Sequence, residues 1–400
     1  MTEWTSRRRV EAALAHEEPD RVPTDLTITI DAYVRLRAHL GLRPDEAMTE
    51  VDRMTEVRPA PDLLAALGVD MTYVRLRRLS GWSPGARDDG TETDEWGVTR
   101  SRVPLPGGGF NAEVARSPLE VIDVADIDLD AYPWPDPADP ARVAGLAEEA
   151  ARLYAETDLA IMGRFGRGVL ATSYFMRGYQ SWMEDLLLEP EFNRALLARV
   201  AEVMIGLDEA GIRAAGPYLS VVRLSGEDLG MQDRGMFAPA IWHGALYPVL
   251  RRRWLAARQV LEEVNPRCRI LLHSCGAIRE YLPDIIDAGI EVIDPVQVQA
   301  AGMDAEGLKR DFGTRLAFHG GIDTQRLLPS GTPDEVRAET ARAIGALGSY
   351  GGYVLAPVHH VQSDVPPVNV VAMFEAARAY GAYPLTPASR RVAPLPGAMR

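Results

Sequence analysis

The sequence predicts an α/β fold, a (β/α)8 TIM barrel, on three observations. Short apolar or β-branched runs recur along the 400 residues, each followed by a segment of helical, 3.6-residue patterning. Most of the runs are continuously apolar rather than alternating, which suits strands covered on both faces of a parallel sheet. About eight such β–α units share one pattern, and no period of 20–50 residues repeats. An open doubly wound sheet is the alternative, but no Gly-x-Gly-x-x-Gly follows the first strand to support a dinucleotide fold.

The runs read as strands are, in order, RVPTDLTI (21–28), VDMTYVRL (69–76), DLAIMGRF (158–165), YLSVVRLSG (218–226), RCRILLHS (267–274), IEVIDPVQ (290–297), RLAFHGG (315–321) and GGYVLAPV (351–358). Helical patterning covers 181–211, 239–264, 276–289 and 332–347. The last of these opens on Thr332 as N-cap, with Pro333 at the first helical position and acids in the first turn. Residues 80–118 interrupt the alternation with turn-rich sequence and read as a β-hairpin excursion, a candidate lid. Residues 130–143 form a proline-punctuated loop. The expected organisation is one domain over 1–383 and a loosely ordered tail over 384–400.

At 46% hydrophobic and 25% charged residues the chain is globular in composition. A formal net charge of −14 argues against nucleic acid, which needs a basic surface. No stretch reaches the ~18–20 consecutive apolar residues of a membrane helix. The N-terminus has no apolar core of a secretory signal. Cys268 and Cys275 are the two cysteines, too few for a disulfide framework. The expected setting is the cytoplasm, with a small-molecule substrate.

In a barrel, functional groups gather at the C-terminal ends of the strands. The predicted strands end on Arg164-Phe165, Glu227-Asp228, His273-Ser274-Cys275, Asp294 and Gln297, His319 followed by Asp323, and His359-His360. Four of the seven histidines therefore sit at three strand ends; His16, His39 and His243 do not and are given no role. His273 and Cys275, one residue apart, share a face of an extended segment. Nitrogen and sulfur suit Zn²⁺, with His359 or His360 as a third ligand and an open fourth position of catalytic type. Glu227 or Asp228 is expected to complete the shell or move a proton. The plainer reading makes Cys275 a small buried hydrophobe and His273 a satisfied core histidine. Cys268, at a strand start, is expected to be inert packing. The two acids also suit a helix cap, although Gly226 and Gly230 beside them suggest backbone close to a ligand. Arg164, with Arg167, suits an anionic substrate group or a surface ion pair. Phe165, Gln297, His319 and Asp323 complete the substrate-binding candidates. The aromatic stretch 173–182 is expected in the core and pocket wall.

The opening RRRVEAALAHEEPDRVP, the stretch from HSCGAIREYLPDIIDAGIEVIDPVQ through AFHGGIDTQRLLPSGTPDEV, and GGYVLAPVHHVQSDVPPVNVVAMFEAARAYG together resemble the uroporphyrinogen decarboxylase superfamily. The resemblance runs nearly end to end and is dense over 267–381. It implies a (β/α)8 barrel. The arginine-rich motif by which true decarboxylases grip tetrapyrrole carboxylates is missing; TDLTITIDAYVRLRAHLG stands there instead. The other branch, zinc-dependent methyltransferases that exchange methyl groups with a corrinoid protein, carries His-x-Cys and a distant second cysteine. His273 and Cys275 match the first half, and His359 occupies the place of the second cysteine, as in members resembling O-demethylating methyltransferases. Adjacent residues of an extended segment point opposite ways, so His359 rather than His360 is expected as the ligand. The resemblance thus implies Zn²⁺ on His273, Cys275 and His359. It also implies a corrinoid carried by a separate protein, since no Asp-x-His-x-x-Gly occurs here. The alternatives are a metal-independent decarboxylase or lyase of a small carboxylated substrate using Arg164 and the acids, and a non-catalytic ligand-binding barrel. A homodimer is among the assemblies the sequence allows.

Overall fold

The computed structural model describes residues 4–46, 56–79, 90–104, 110–120, 122–224 and 226–385. The tail beyond 385 lies outside the described residues. Apolar runs form strands β1 (Met71–Arg75), β2 (Ala160–Arg164), β3 (Val221–Leu224), β4 (Arg269–His273), β5 (Val292–Val296), β6 (Ala317–Ile322) and β7 (Tyr353–Pro357). They pair in chain order as a 7-stranded parallel sheet with helices on the crossovers. The architecture is α/β and TIM-barrel-like.

The first predicted run, 21–28, links the two edges of this sheet without becoming a ladder. Leu355 N–H of β7 donates to Pro23 O, and Asp25 N–H donates to Leu355 O, each at 2.9 Å. On its other side Asp70 N–H, just before β1, donates to Thr24 O at 2.9 Å. Pro23 has no N–H to give, and the N–H of Thr24 is taken by the Asp70 carboxylate at 2.9 Å. Arg21 and Thr24 therefore make isolated bridges, and only the end of the run, Ile28, enters a short antiparallel pair, with Val57.

Inside the curve of the sheet lies a small apolar layer. Met71 and Tyr73 of β1, Ala160 and Met162 of β2, Val221, Leu271, Val292, Ala317 and Val354 meet there. Val10 and Leu14 of the helix Ser6–Leu14 close it from below. That helix is fixed by charge. The buried Asp70 carboxylate accepts from Arg9 at 2.7 Å, from Arg21 at 2.8 Å and from the Ser6 hydroxyl at 2.7 Å. A larger apolar layer fills the space between the sheet and the outer helices.

The predicted helices form with local breaks. The 181–211 pattern divides into Tyr179–Leu188 and Pro190–Ala215, because Pro190 disfavours helix at Glu189. The 239–264 pattern contains a π-helical turn, Trp242–Leu246, immediately before Tyr247–Val264. The helix Pro333–Leu347 has the full capping box of Thr332 and Glu335. Within 80–118, strands Glu92–Thr93, Thr99–Pro104 and Phe110–Arg116 form an antiparallel sheet; residues 80–89 and 105–109 lie outside the described residues. Among the described residues no helix is long and apolar enough to cross a membrane.

Candidate metal centre

The site sits one layer above the inner apolar residues. Side chains alternate along a strand, so the residue two places on points the same way. Two residues beyond Tyr73, Met162 and Val221 come Arg75, Arg164 and Arg223. Two beyond Leu271, Val292 and Ala317 come His273, Asp294 and His319. The inner face thus changes from apolar to ionisable at one level. The polar level lines a narrow cleft with an enclosed volume of about 10 Å³, room for about one water molecule, that includes Arg164, Arg223, His273, Asp294, His319, His359 and His360.

His273, Cys275 and His359 bring one ligand atom each to within 4.8 Å of one another. His273 is the last residue of β4, and the turn after it is held from several directions. Ser274 N–H donates to Asp294 O at 2.7 Å, and the Ser274 hydroxyl accepts from Leu229 N–H at 3.1 Å. Cys275 N–H donates to Asp228 Oδ1 at 3.2 Å, and Gly276 N–H to Gln297 Oε1 at 2.8 Å. Gly276 has φ +86°, and a Cβ there would lie 2.3 Å from Gly230 O, so only glycine fits this crossing of two loops. Cys275 Sγ is 3.6 Å from His273 Nε2. A tetrahedral ion bound at ~2.3 Å to sulfur and ~2.0–2.1 Å to nitrogen sets those two atoms about 3.6 Å apart. The donor types, and the spacing of this pair, fit zinc.

Protonation follows from burial and neighbours. Burial, with Asp228 and Asp294 nearby, pushes the Cys275 thiol well above its ordinary value, so a metal binding here must displace a proton. Burial, with His360 and His273 alongside, pulls His359 down to about 3. Its imidazole is then neutral, the form that binds metal.

Asp294 is the hub beneath the ligands. Its Oδ2 lies 2.7 Å from His273 Nδ1 and 3.2 Å from Arg223 Nη2, and its Oδ1 lies 2.7 Å from His319 Nδ1. Burial raises its pKa, but His319, Arg223 and His273 outweigh that and hold it well below the usual carboxylate range. On His319, burial acts downward and is overcome by Asp294 and Asp25, the latter 3.1 Å from Nε2, leaving the ring at about 9. His273 Nδ1 also lies 2.7 Å from Arg223 Nη2. The two contacts of Nδ1 are alternatives. With Nδ1–H donated to Asp294, the Nε2 lone pair faces Cys275; with Nδ1 accepting from Arg223, Nε2 carries the proton. A metal on Nε2 would select the first.

The predicted residues separate by location. Arg164 and His319 line the cleft with the histidines. His359 and His360 both line it, against the expectation that only one would, because β7 ends at Pro357 and the strand alternation stops there. His360 Nε2 lies 3.3 Å from Glu56 Oε2. Asp228 contacts the Cys275 loop. Glu227 is fully enclosed: it accepts from Val169 N–H at 2.8 Å and Leu170 N–H at 3.0 Å, the N-terminus of helix Val169–Arg177. It also pairs with buried Arg253 at 3.2 Å. Burial raises it to about 7 against those partners. Gln297 holds Gly276. Asp323 accepts from Gln325 N–H at 2.7 Å and from Arg326 and Leu327 N–H at 3.3 Å, capping the turn that follows β6. The Phe165 ring packs beside Gly211 of the long helix Pro190–Ala215. Cys268 is buried and its thiol is pushed far up by burial. Trp182 of the 173–182 stretch is fully buried, whereas Tyr179 is exposed.

Arg223, Glu56 and Asp25 were not among the expected site residues. Arg223 had a signal, a lone charge inside the buried run YLSVVRLSG. Glu56, in a short strand paired antiparallel with Ile28–Thr29, and Asp25 reach the site from outside the main sheet, and no local pattern marks them.

The uroporphyrinogen decarboxylase (URO-D) family model matches residues 111–380. No curated protein matches the chain in sequence. Among solved structures, a methyltransferase from Methanosarcina mazei is 20% identical, aligned over 94% of this chain and 99% of that one, with a TM-score of 0.62. That likeness is one of fold. A psychrophilic family 10 endo-β-1,4-xylanase is 8% identical over 52% of this chain and 69% of its own, TM-score 0.31. An α-amylase from Geobacillus thermoleovorans is 10% identical over 62% and 63%, TM-score 0.34.

Proposed function

The chain belongs to the uroporphyrinogen decarboxylase family, and from that premise we propose that it is a zinc-dependent methyltransferase acting between a small methylated substrate and a corrinoid protein. The observation that carries the reading is the 3.6 Å separation of Cys275 Sγ and His273 Nε2, with His359 in the same cluster. His273, Cys275 and His359 would hold zinc, which would supply a Lewis acid able to polarise a methyl-bearing oxygen or lower the pKa of a thiol acceptor.

The chain's own residues do the rest. Asp294 accepts Nδ1–H of His273 and keeps its lone pair turned to the metal position. Asp228 stands beside the Cys275 loop on the partly exposed side and is the group assigned to proton transfer. Glu227 holds the turn between β2 and helix Val169–Arg177 through two backbone N–H groups, which keeps Asp228, its neighbour in sequence, in place. The corrinoid partner docks at the strand C-terminal face, where the cleft opens. The fold likeness to the Methanosarcina mazei methyltransferase supports the same branch.

The test is methyl transfer to cob(I)alamin, followed by its absorbance, with a panel of O-methyl compounds. Zinc-loaded protein is expected to methylate the cobalt, and chelator-treated protein to lose the activity and regain it with zinc. Activity indifferent to chelation contradicts the reading.

A further inference from the structure

Arg75, Arg164 and Arg223 occupy paired positions on β1, β2 and β3. Three guanidinium side chains therefore leave the inner face in one row. Like charges facing one another across a ladder are unfavourable, and enclosing them raises the penalty unless each is compensated. Compensation here is thin. Glu56 is shared by Arg75, Arg164 and His360. Asp294 is shared by His273, His319 and Arg223, and the contact to Arg223 is the longest of the three. When Nδ1–H of His273 is committed to Asp294, as metal binding demands, Arg223 loses Nδ1 as an acceptor. The Nε atoms of Arg164 and Arg223 are buried with no hydrogen-bond partner among the described residues. Tyr73 lies under Arg164, whose guanidinium carbon is 4.2 Å from the ring centroid. Arg164 and Arg223 line the same cleft as the metal ligands.

We infer that Arg164 and Arg223 form an anion subsite beside the metal ligands, so that the methylated substrate is a small molecule carrying a carboxylate. The guanidinium fork suits a carboxylate bidentately, which an ammonium does not. The inference rests on the methyltransferase reading for what happens to the substrate, but not for its charge.

The probes are methoxyacetate and 2-methoxyethanol, of similar size, one anionic and one neutral. Their affinities are measured by ligand-observed NMR on the full chain, zinc-loaded and chelator-treated, with zinc content determined on each sample. Methoxyacetate is expected to bind about tenfold or more tightly, the scale of one buried charge-assisted hydrogen bond. Arg223→Gln is expected to bring the two probes close to equal affinity, and Arg223→Lys to fall between. Equal affinities in the wild type, or binding of neither probe, overturns the subsite, as does an undiminished preference in a folded Arg223→Gln protein. If Arg223→Gln does not fold, the wild-type comparison and Arg223→Lys decide. Zinc uptake without charge preference sinks the subsite and leaves the metal reading standing; charge preference without zinc uptake does the reverse.

Discussion

At the scale of single residues, Asp294 carries most of the site. It orients a proposed metal ligand, holds His319 charged and takes part of the charge of Arg223. Replacing it with Asn keeps the shape but removes the anionic acceptor of Nδ1–H. Outer-shell partners of this kind are worth roughly 10–100-fold in metal affinity. Asp294→Asn is therefore expected to weaken zinc binding on that scale in a competition titration against a chromogenic chelator, with the fold intact by circular dichroism. His319 makes a pH prediction. Its folded pKa of about 9 lies above the ordinary histidine value, so the folded state holds the proton more tightly than the unfolded one. The stability this contributes is fully present below about pH 6.5 and is lost as pH rises through about 9. Urea midpoints of the wild type and His319→Gln are expected to converge across that window. A gap that is constant from pH 6 to 10 would contradict the assignment. The grouping of His273, Cys275 and His359 was legible in the sequence because all three lie at or just past the ends of predicted strands. Asp25 and Glu56 were not, because a carboxylate that balances a buried charge declares itself only once the chain brings it there.

At the scale of elements, the apolar runs were readable as strands because each is enclosed on both faces. The segment 21–28 was read as one more strand; it links both sheet edges, but Pro23 and the Asp70 carboxylate divert its hydrogen bonds. The break at Pro190 had a local cause in the sequence, whereas the enclosure of Glu227 by Arg253 depends on packing between distant helices. The loop after β4 is the element on which the proposed metal site turns. Gly230 and Gly276 let it cross the loop after β3 at backbone contact, and that crossing fixes Cys275. Gly276→Ala puts a Cβ against Gly230 O and forces a residue with φ +86° into unfavourable backbone space. The variant is expected to lose bound zinc while the sheet survives, read as metal content against far-UV circular dichroism. Zinc retained at the wild-type level would show that the crossing does not position the thiol.

At the scale of the whole molecule, the sheet acts as a ruler. Its inner face is apolar at one level and ionisable two residues higher, so residues from six strands meet in one cleft, with Asp25 and Glu56 pairing to them from outside the main sheet. An acidic chain of net charge −14 thereby keeps a row of arginines inside. The account stands on the metal centre. The most direct test is the zinc content of protein purified without chelator, for the wild type, Cys275→Ala and His359→Ala. The account predicts about one zinc per wild-type chain, with three protein ligands and an open position, and loss of it in both variants. A folded wild type that takes up no zinc, or variants that keep it, would contradict the account.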